Sequence, residues 1–296
     1  MARIVLIGEA MLELARKGGD WQLGYGGDTL NTAIHLARAG HDVAYLTALG
    51  TDPFSTDLKG RWAAEGLDTA LVLDHPTRGT GLYAIATDAA GERSFTYWRD
   101  SSAAREMLAL PESAAALAVA AQADLVALSL ITLAILPAVG RVRLLELIRQ
   151  VRQNGGQVAF DGNYRPRLWK SPAAAASARD AAIAAATIGL PTLEDEQAIA
   201  GHPLTADAVA AHWQNLGCAE TIVKLGADGC RLPDGTVLPP ARLLSPVDTS
   251  GAGDAFNAGY LDARLRGATP VEAAGAAHAL AGWTIMRPGA IPAQDS

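Results

Sequence analysis

Between Asp248 and Phe256 the chain reads Asp-Thr-Ser-Gly-Ala-Gly-Asp-Ala-Phe, and a helical pattern then continues to Arg266 and stops at Gly267. Glycines ahead of a helix let backbone N–H groups turn toward one point, which makes the segment a candidate anion site fitted to a phosphate. Asp254 falls in the first helical turn. As a first-turn acid alone it would gain only about 0.3–1 kcal/mol from the helix dipole. Next to an anion cradle it could take a proton from an alcohol while the cradle holds the phosphoryl group under attack. General-base help of this kind typically contributes ~10²–10⁴ in rate, and positioning with charge stabilisation supplies the rest of phosphoryl transfer.

Other chemistries lack their residues. The chain has no Gly-x-x-x-x-Gly-Lys-Ser/Thr loop, no His-Arg-Asp or Asp-Phe-Gly set, and no Gly-x-Gly-x-x-Gly turn after its first apolar run. P-loop enzymes, protein kinases and dinucleotide oxidoreductases are therefore set aside. A formal charge of −7 without any Lys/Arg-rich run argues against nucleic acid as a partner. Cys218 and Cys230, twelve positions apart with no further Cys or clustered His, indicate neither a disulfide framework nor a zinc site, and fit a reducing cytoplasm. The N-terminal run Ile4 to Gly8 is too short for a signal-peptide core. The most membrane-like stretch, Leu125 to Gly140, falls short of the roughly 20 apolar residues a spanning helix needs and reads as a buried strand plus loop.

The elements that must position these residues are legible as an alternation. Apolar runs at Ile4 to Gly8, Val43 to Leu49, Leu125 to Ser129, Gln157 to Asp161, Ile188 to Leu190 and Thr221 to Leu225 alternate with helical patterns. That is the signature of an α/β fold with a mostly parallel sheet flanked by helices. Asp28 or Thr29 opens a helix that Gly40 closes, and Ser171-Pro172 and Thr269-Pro270 supply N-cap and first-turn proline signals. One section departs: Thr80 to Thr87 and Arg93 to Arg99 read as strands joined by Asp88-Ala89-Ala90-Gly91 with no helix between. A second hairpin-like piece between Met11 and Gly26 would complete a small sheet projecting over a site. The expected organisation is one domain over residues 1–296 with lid segments at about 11–26 and 79–100.

The segment 247–256 resembles the C-terminal signature of the ribokinase-like (PfkB) carbohydrate kinases. Gly26-Gly27-Asp28-Thr29-Leu30-Asn31-Thr32-Ala33, with Leu49-Gly50-Thr51-Asp52-Pro53-Phe54 after it, resembles their N-terminal signature. The resemblance spans essentially the whole chain. It implies a large α/β domain, a small β lid, MgATP near the C-terminal half and a sugar between lid and domain. Asp254 would be the base, the amides of Gly251, Ala252 and Gly253 the anion hole, and Gly27 and Asn31 part of the sugar site. Lys224, Gly226 and Gly229 would border the nucleotide, with Asn163 reaching its phosphates and His278 flanking the nucleotide's own base. Taken alone, the glycines would be turn residues and His278 a half-buried helix histidine. A monovalent-cation site near Asp248 and the Arg287 to Ala290 loop, and a homo-oligomer formed through the lid, also enter by resemblance.

Within the family the likeness is to the kinases of 2-dehydro-3-deoxygluconate, carried by Gly81-Leu82-Tyr83, the segment 91–99 and the segment 161–169. Such a substrate adds a carboxylate to a sugar, and arginine offers it a charge-assisted match. Arg99 on the lid and Arg165 after a strand are the candidates, Arg165 bordering ATP as well. Tyr83 and Tyr97 could donate phenol hydrogen bonds, and Tyr97 and Arg99, two apart, would share the lid's underside. Many relatives have Asn-x-x-Glu where this chain reads Thr192-Leu193-Glu194-Asp195, so Asp195 is the candidate metal ligand, through water, for a required Mg²⁺. Glu194 and Glu196 read alternatively as solvated helix-start acids. A neutral-sugar kinase acting on fructose or ribose, and a non-catalytic sugar-acid-binding protein, are the competing readings.

Overall fold

The first apolar run shows why a sheet forms here. In Ile4-Val5-Leu6-Ile7 every side chain is buried, but Val5 and Ile7 enter one core and Ile4 and Leu6 another. A strand apolar on both faces must be covered on both, which is the condition for a parallel sheet between helix layers. The computed structural model, which describes residues 2–17, 19–87 and 93–294, has this architecture. Its strands are β1 (Arg3–Ile7), β2 (Met11–Lys17), β3 (Asp20–Gly26), β4 (Asp42–Leu49), β5 (Val72–Asp74), β6 (Gly81–Thr87), β7 (Arg93–Trp98), β8 (Leu125–Ser129), β9 (Gln157–Asp161), β10 (Ile188–Gly189), β11 (Glu220–Thr221), β12 (Val223–Lys224), β13 (Cys230–Arg231) and β14 (Val237–Leu238). Seven of them form a parallel sheet in the order β11-β10-β9-β8-β1-β4-β5.

Helices α1 (Asp28–Arg38) and α2 (Pro53–Ala64) pack on one face of the sheet, and α3 (Ser113–Ala120), α4 (Leu130–Ile135), α5 (Ala138–Gln153), α6 (Pro172–Ile183), α7 (Leu193–Ala200) and α8 (Ala206–Asn215) on the other. The last two, α9 (Ala252–Leu265) and α10 (Pro270–Ile285), return to the face of α1. From β1 the chain runs outward through β4 to β5, then restarts at β8 and runs to the opposite edge. The order reverses between β1 and β8, and in open α/β sheets ligands bind beyond the strands' carboxyl ends at such a point. The expected helix starts are present: Ser171 Oγ accepts from Ala174 N–H at 3.2 Å, and Thr269 with Glu272 forms a capping box.

Two expectations are corrected. The stretch after β8 is not a loop, because Leu130–Ile135 closes into α4 with Ser129 and Thr132 as a capping box before Pro137 starts α5. Its side chains are almost all buried, so no apolar-polar period marks the helix. The run Thr221 to Leu225 is not one strand. Glu220–Thr221 completes the main sheet, while Val223–Lys224 turns away to pair antiparallel with Cys230–Arg231 in a second small sheet, β12-β13-β14.

The two hairpin-like pieces form one four-stranded sheet, β3-β2-β6-β7, sealed by parallel pairing of β2 with β6. The Asp88 to Gly91 connection lies outside the described residues. The sheet is pinned to the main domain by Tyr25, whose ring meets Trp62 of α2 edge-on at 6.5 Å and lies under Arg61. Among the described residues no helix is long and apolar enough to cross a membrane.

Candidate active site

The start of α9 lies against the start of α1 at the carboxyl edge of the sheet. Asn31 Nδ2 donates to Asp254 Oδ2 at 2.7 Å, and Thr32 Oγ1 donates to the Asp254 carbonyl at 3.2 Å. The glycines of both signatures permit this approach. A side chain at Gly27 would strike the Glu9 carbonyl at 2.3 Å, so only glycine lets α1 begin against the end of β1. Gly251 has φ +71° and sits so close to Ala290 that a Cβ would lie 2.6 Å from it. It is the left-handed N-cap that turns the chain into α9. Asp248 braces this turn, accepting from Ser250 N–H at 2.9 Å and from Gly289 N–H at 2.7 Å.

Burial pushes the Asp254 carboxyl up to about 8, and the negative charge of Asp28 adds to the effect, while the Asn31 hydrogen bond pulls the other way. A carboxylate this basic has more proton affinity than an ordinary one and suits removal of an alcohol proton.

Below the base is a closed polar floor. Lys224 Nζ lies 3.2 Å from both Asp161 oxygens and 3.1 Å from Asn257 Oδ1, and Asn257 Nδ2 donates to Asp161 Oδ2 at 2.7 Å. All three are buried. Asn257 stands one turn along α9 from Asp254, and a Cβ on Gly253 would lie 3.8 Å from Lys224 Nζ. The ammonium thus sits directly behind the anion cradle, where it can share charge with a phosphoryl group. Asn163 is buried at the end of β9, with its Nδ2 donating to Asp28 Oδ2 at 3.1 Å.

The sugar-side residues carry acid partners that sequence did not reveal. The Tyr83 hydroxyl donates to Glu13 on β2, so it is not free to donate to a ligand as expected. Tyr97 is 44% exposed, and its ring lies 5.9 Å from that of Tyr83. Arg99 is not a solvated strand-end charge. It is buried just beyond β7, its Nε donates to Glu9 Oε2 at 2.8 Å, and Nη2 joins the same oxygen. Glu9 also accepts from Ser102. The Nε–Nη2 edge of Arg99 is therefore spent inside the protein. Arg165, by contrast, keeps a side chain 53% exposed, 3.7 Å from Asp195.

Asp195 lies in the first turn of α7, and burial raises its carboxyl to about 6 against the opposing charge of Arg165. No group of three metal-ligating side chains occurs among the described residues. The donor set thus fits Mg²⁺ held chiefly by phosphate oxygens and water with a carboxylate nearby, and not a protein-built cage. Glu196 is not a solvated helix-start acid: it is buried against Arg179 and accepts from Trp213 Nε1 at 3.0 Å. Gly226 and Gly229 flank the short turn between β12 and β13, and His278 on α10 is held by the Leu238 carbonyl at 3.2 Å, edge-on to Phe256 at 5.2 Å.

Asn257 was findable, since it shares a helix face with Asp254 three positions earlier. Glu13 was findable from strand alternation with Met11. Glu9 has no local signal, because its partner is 90 residues away.

The chain belongs to the pfkB family of carbohydrate kinases, whose family model matches residues 1–296. Among curated relatives, the 2-dehydro-3-deoxygluconokinase of Dickeya dadantii is 43% identical over 298 residues, covering 97% of this chain and 96% of the relative. The crystal structure of the 2-dehydro-3-deoxygluconokinase from Thermotoga maritima shares the fold at a TM-score of 0.85 and 21% identity, covering 98% and 95% of the two chains. An Escherichia coli structure in complex with ATP and Mg²⁺ superposes at 0.84, with 21% identity over 98% and 95%.

Proposed function

We propose that this chain transfers the γ-phosphoryl group of ATP to the 6-hydroxyl of 2-dehydro-3-deoxygluconate, with Asp254 as general base. The observation that carries the reading is the union of three things at one helix N-terminus: a basic carboxylate held by Asn31, the glycine-built amide cradle Gly251 to Gly253, and the buried Lys224 behind it. Full-length likeness to 2-dehydro-3-deoxygluconokinases supports the substrate. In this reading the 6-hydroxyl approaches Asp254 and gives up its proton as oxygen attacks the γ-phosphorus in line. The amides of Gly251 to Gly253 and Lys224 take the developing charge. Asn163, Lys224, Gly226, Gly229 and His278 border the nucleotide. Bound Mg²⁺ would supply charge neutralisation on the phosphates, with Asp195 reaching its water shell.

Residues 1–296 then act as one kinase domain, and segments 11–26 and 79–100 as its lid, bringing Tyr83 and Tyr97 over the sugar and excluding water. Arg165 is the first candidate for the substrate carboxylate because its guanidinium is exposed. Arg99 contributes only through the edge not turned to Glu9. That same pairing favours a second reading, a neutral-sugar kinase in which Glu13 accepts from sugar hydroxyls. ATP consumption with Mg²⁺ separates the two: the expected result is turnover with 2-dehydro-3-deoxygluconate far above that with fructose or ribose. Preference for a neutral sugar would retain Asp254 as base and remove the carboxylate contact.

A further inference from the structure

Asp28 is an acid that the proposed chemistry does not use, set in a site meant to receive two anions. It is the first residue of α1, half-buried, and faces a narrow pocket with Ser129, Asp161 and Asn257. Its surroundings form a ring. Asp254 is joined to Asn31; one turn earlier on α1, Asp28 accepts from Asn163; the Asn163 N–H donates to Asp161 Oδ1 at 3.1 Å; and Asp161 accepts from Asn257, one turn along α9 from Asp254. Four side-chain hydrogen bonds and two helical turns thus link the sugar-side helix, the phosphate-side loop and the base, and Asp28 is the only member that connects α1 to the loop after β9.

We infer that Asp28 is a positioning residue that fixes Asn163 relative to the base and, by its negative charge, keeps Asp254 a strong proton acceptor. The inference rests on reading Asp254 as the base. Like charges raise each other's proton affinity. The carboxyl of Asp28 is itself raised, by burial first and by Asp161 further, with the Ser129 hydroxyl opposing. The other charged groups around the pair are Arg165, which lowers Asp28, and Asp161 and Lys224, which act on Asp254 in opposite directions. Tyr83 faces the base across the site, and no ion pair neutralises Asp28 among the described residues.

Two variants separate charge from hydrogen bond. Asp28→Asn keeps an acceptor oxygen for Asn163 and removes the charge, whereas Asp28→Ala removes both. The first readout is the titration of the Asp254 carboxyl in the free protein by carbon NMR, which needs no substrate. Its midpoint is expected to fall by about one pH unit in both variants. The second is ATP affinity by calorimetry, expected to be several-fold weaker in Asp28→Ala than in Asp28→Asn. Unchanged midpoints would overturn the charge role, equal ATP affinities the positioning role, and a fall in melting temperature with neither would make Asp28 merely structural. Should Asp28→Ala not fold, the Asp28→Asn midpoint still decides the charge role, and chemical-shift change at the Asn163 amide in that variant decides the contact. If the midpoints move but no sugar acid is phosphorylated, the substrate reading fails while the effect of Asp28 on Asp254 stands.

Discussion

The floor of the site and the small sheet above it are built in opposite ways. Asp161, Lys224 and Asn257 satisfy one another in a buried triangle, held by two strand ends and a helix. On the small sheet Phe95, Tyr97 and Trp98 remain exposed, while Leu12 and Tyr25 pack against the main core and Arg99, just past β7, is held by Glu9. A preorganised floor costs no rearrangement at the moment of charge development. A sheet anchored at a few points can close and open. On the proposed reading, phosphate chemistry belongs to this floor and sugar selection to the small sheet.

Removing the base above the floor should have the largest effect. Asp254→Asn is expected to lower turnover by at least about 10²–10⁴-fold while calorimetry still finds ATP binding; an unchanged rate would remove Asp254 from the base role. The wild-type pH profile sharpens the same point. A base must have lost its proton to act, so kcat/KM should rise with pH and level off above about 8, where Asp254 ionises in the free protein. A profile already flat from pH 6 would contradict this.

Next comes the support of the floor. Lys224→Met leaves the buried Asp161 without its cation, and removal of one partner of a buried pair typically costs about 3–5 kcal/mol. Denaturant unfolding should record a loss of that order, and a fully stable variant would mean that the triangle is looser than its distances suggest. On the substrate side, Arg165→Ala should raise KM for the sugar acid about 10–100-fold, the equivalent of one charge-assisted hydrogen bond. Stability should hold because the side chain is exposed. The smallest effect is expected from Trp98→Ala on the open sheet: a stability change within about 0.5 kcal/mol, measured by thermal melting, with turnover unaltered.

How far the sequence could be read follows the same division. Apolar runs with clear turns identified β1, β4, β8 and β9, and glycines with forced close approaches identified both ends of the site. Short-range signals failed where burial was complete, as in α4, whose buried residues leave no polar face to mark a period. They failed again at Ile222, where the chain leaves one sheet for another without a glycine or proline. The sugar side was the least legible part. Arg99 and Tyr83 could be nominated, but the acids that hold them lie 70 or more positions earlier, Glu9 between β1 and β2 and Glu13 on β2, which the β2–β6 pairing sets beside Tyr83.

The hydrogen bond from Asn31 to Asp254 spans 223 positions. Chains are made from the N-terminus, and domains acquire structure as they emerge. For most of its time on the ribosome this chain therefore has its sugar-side helix but not its base, its cradle or the Ala290 loop that shapes the cradle. A fragment cut short before α9 would carry the strand sequences of both sheets yet lack Asp254, the cradle and the helices that cover one face of the main sheet. Catalytic competence arrives with the final two helices and the loop that follows them, which makes a split of the chain ahead of α9 a natural place to ask whether two inactive pieces can restore phosphotransfer on mixing.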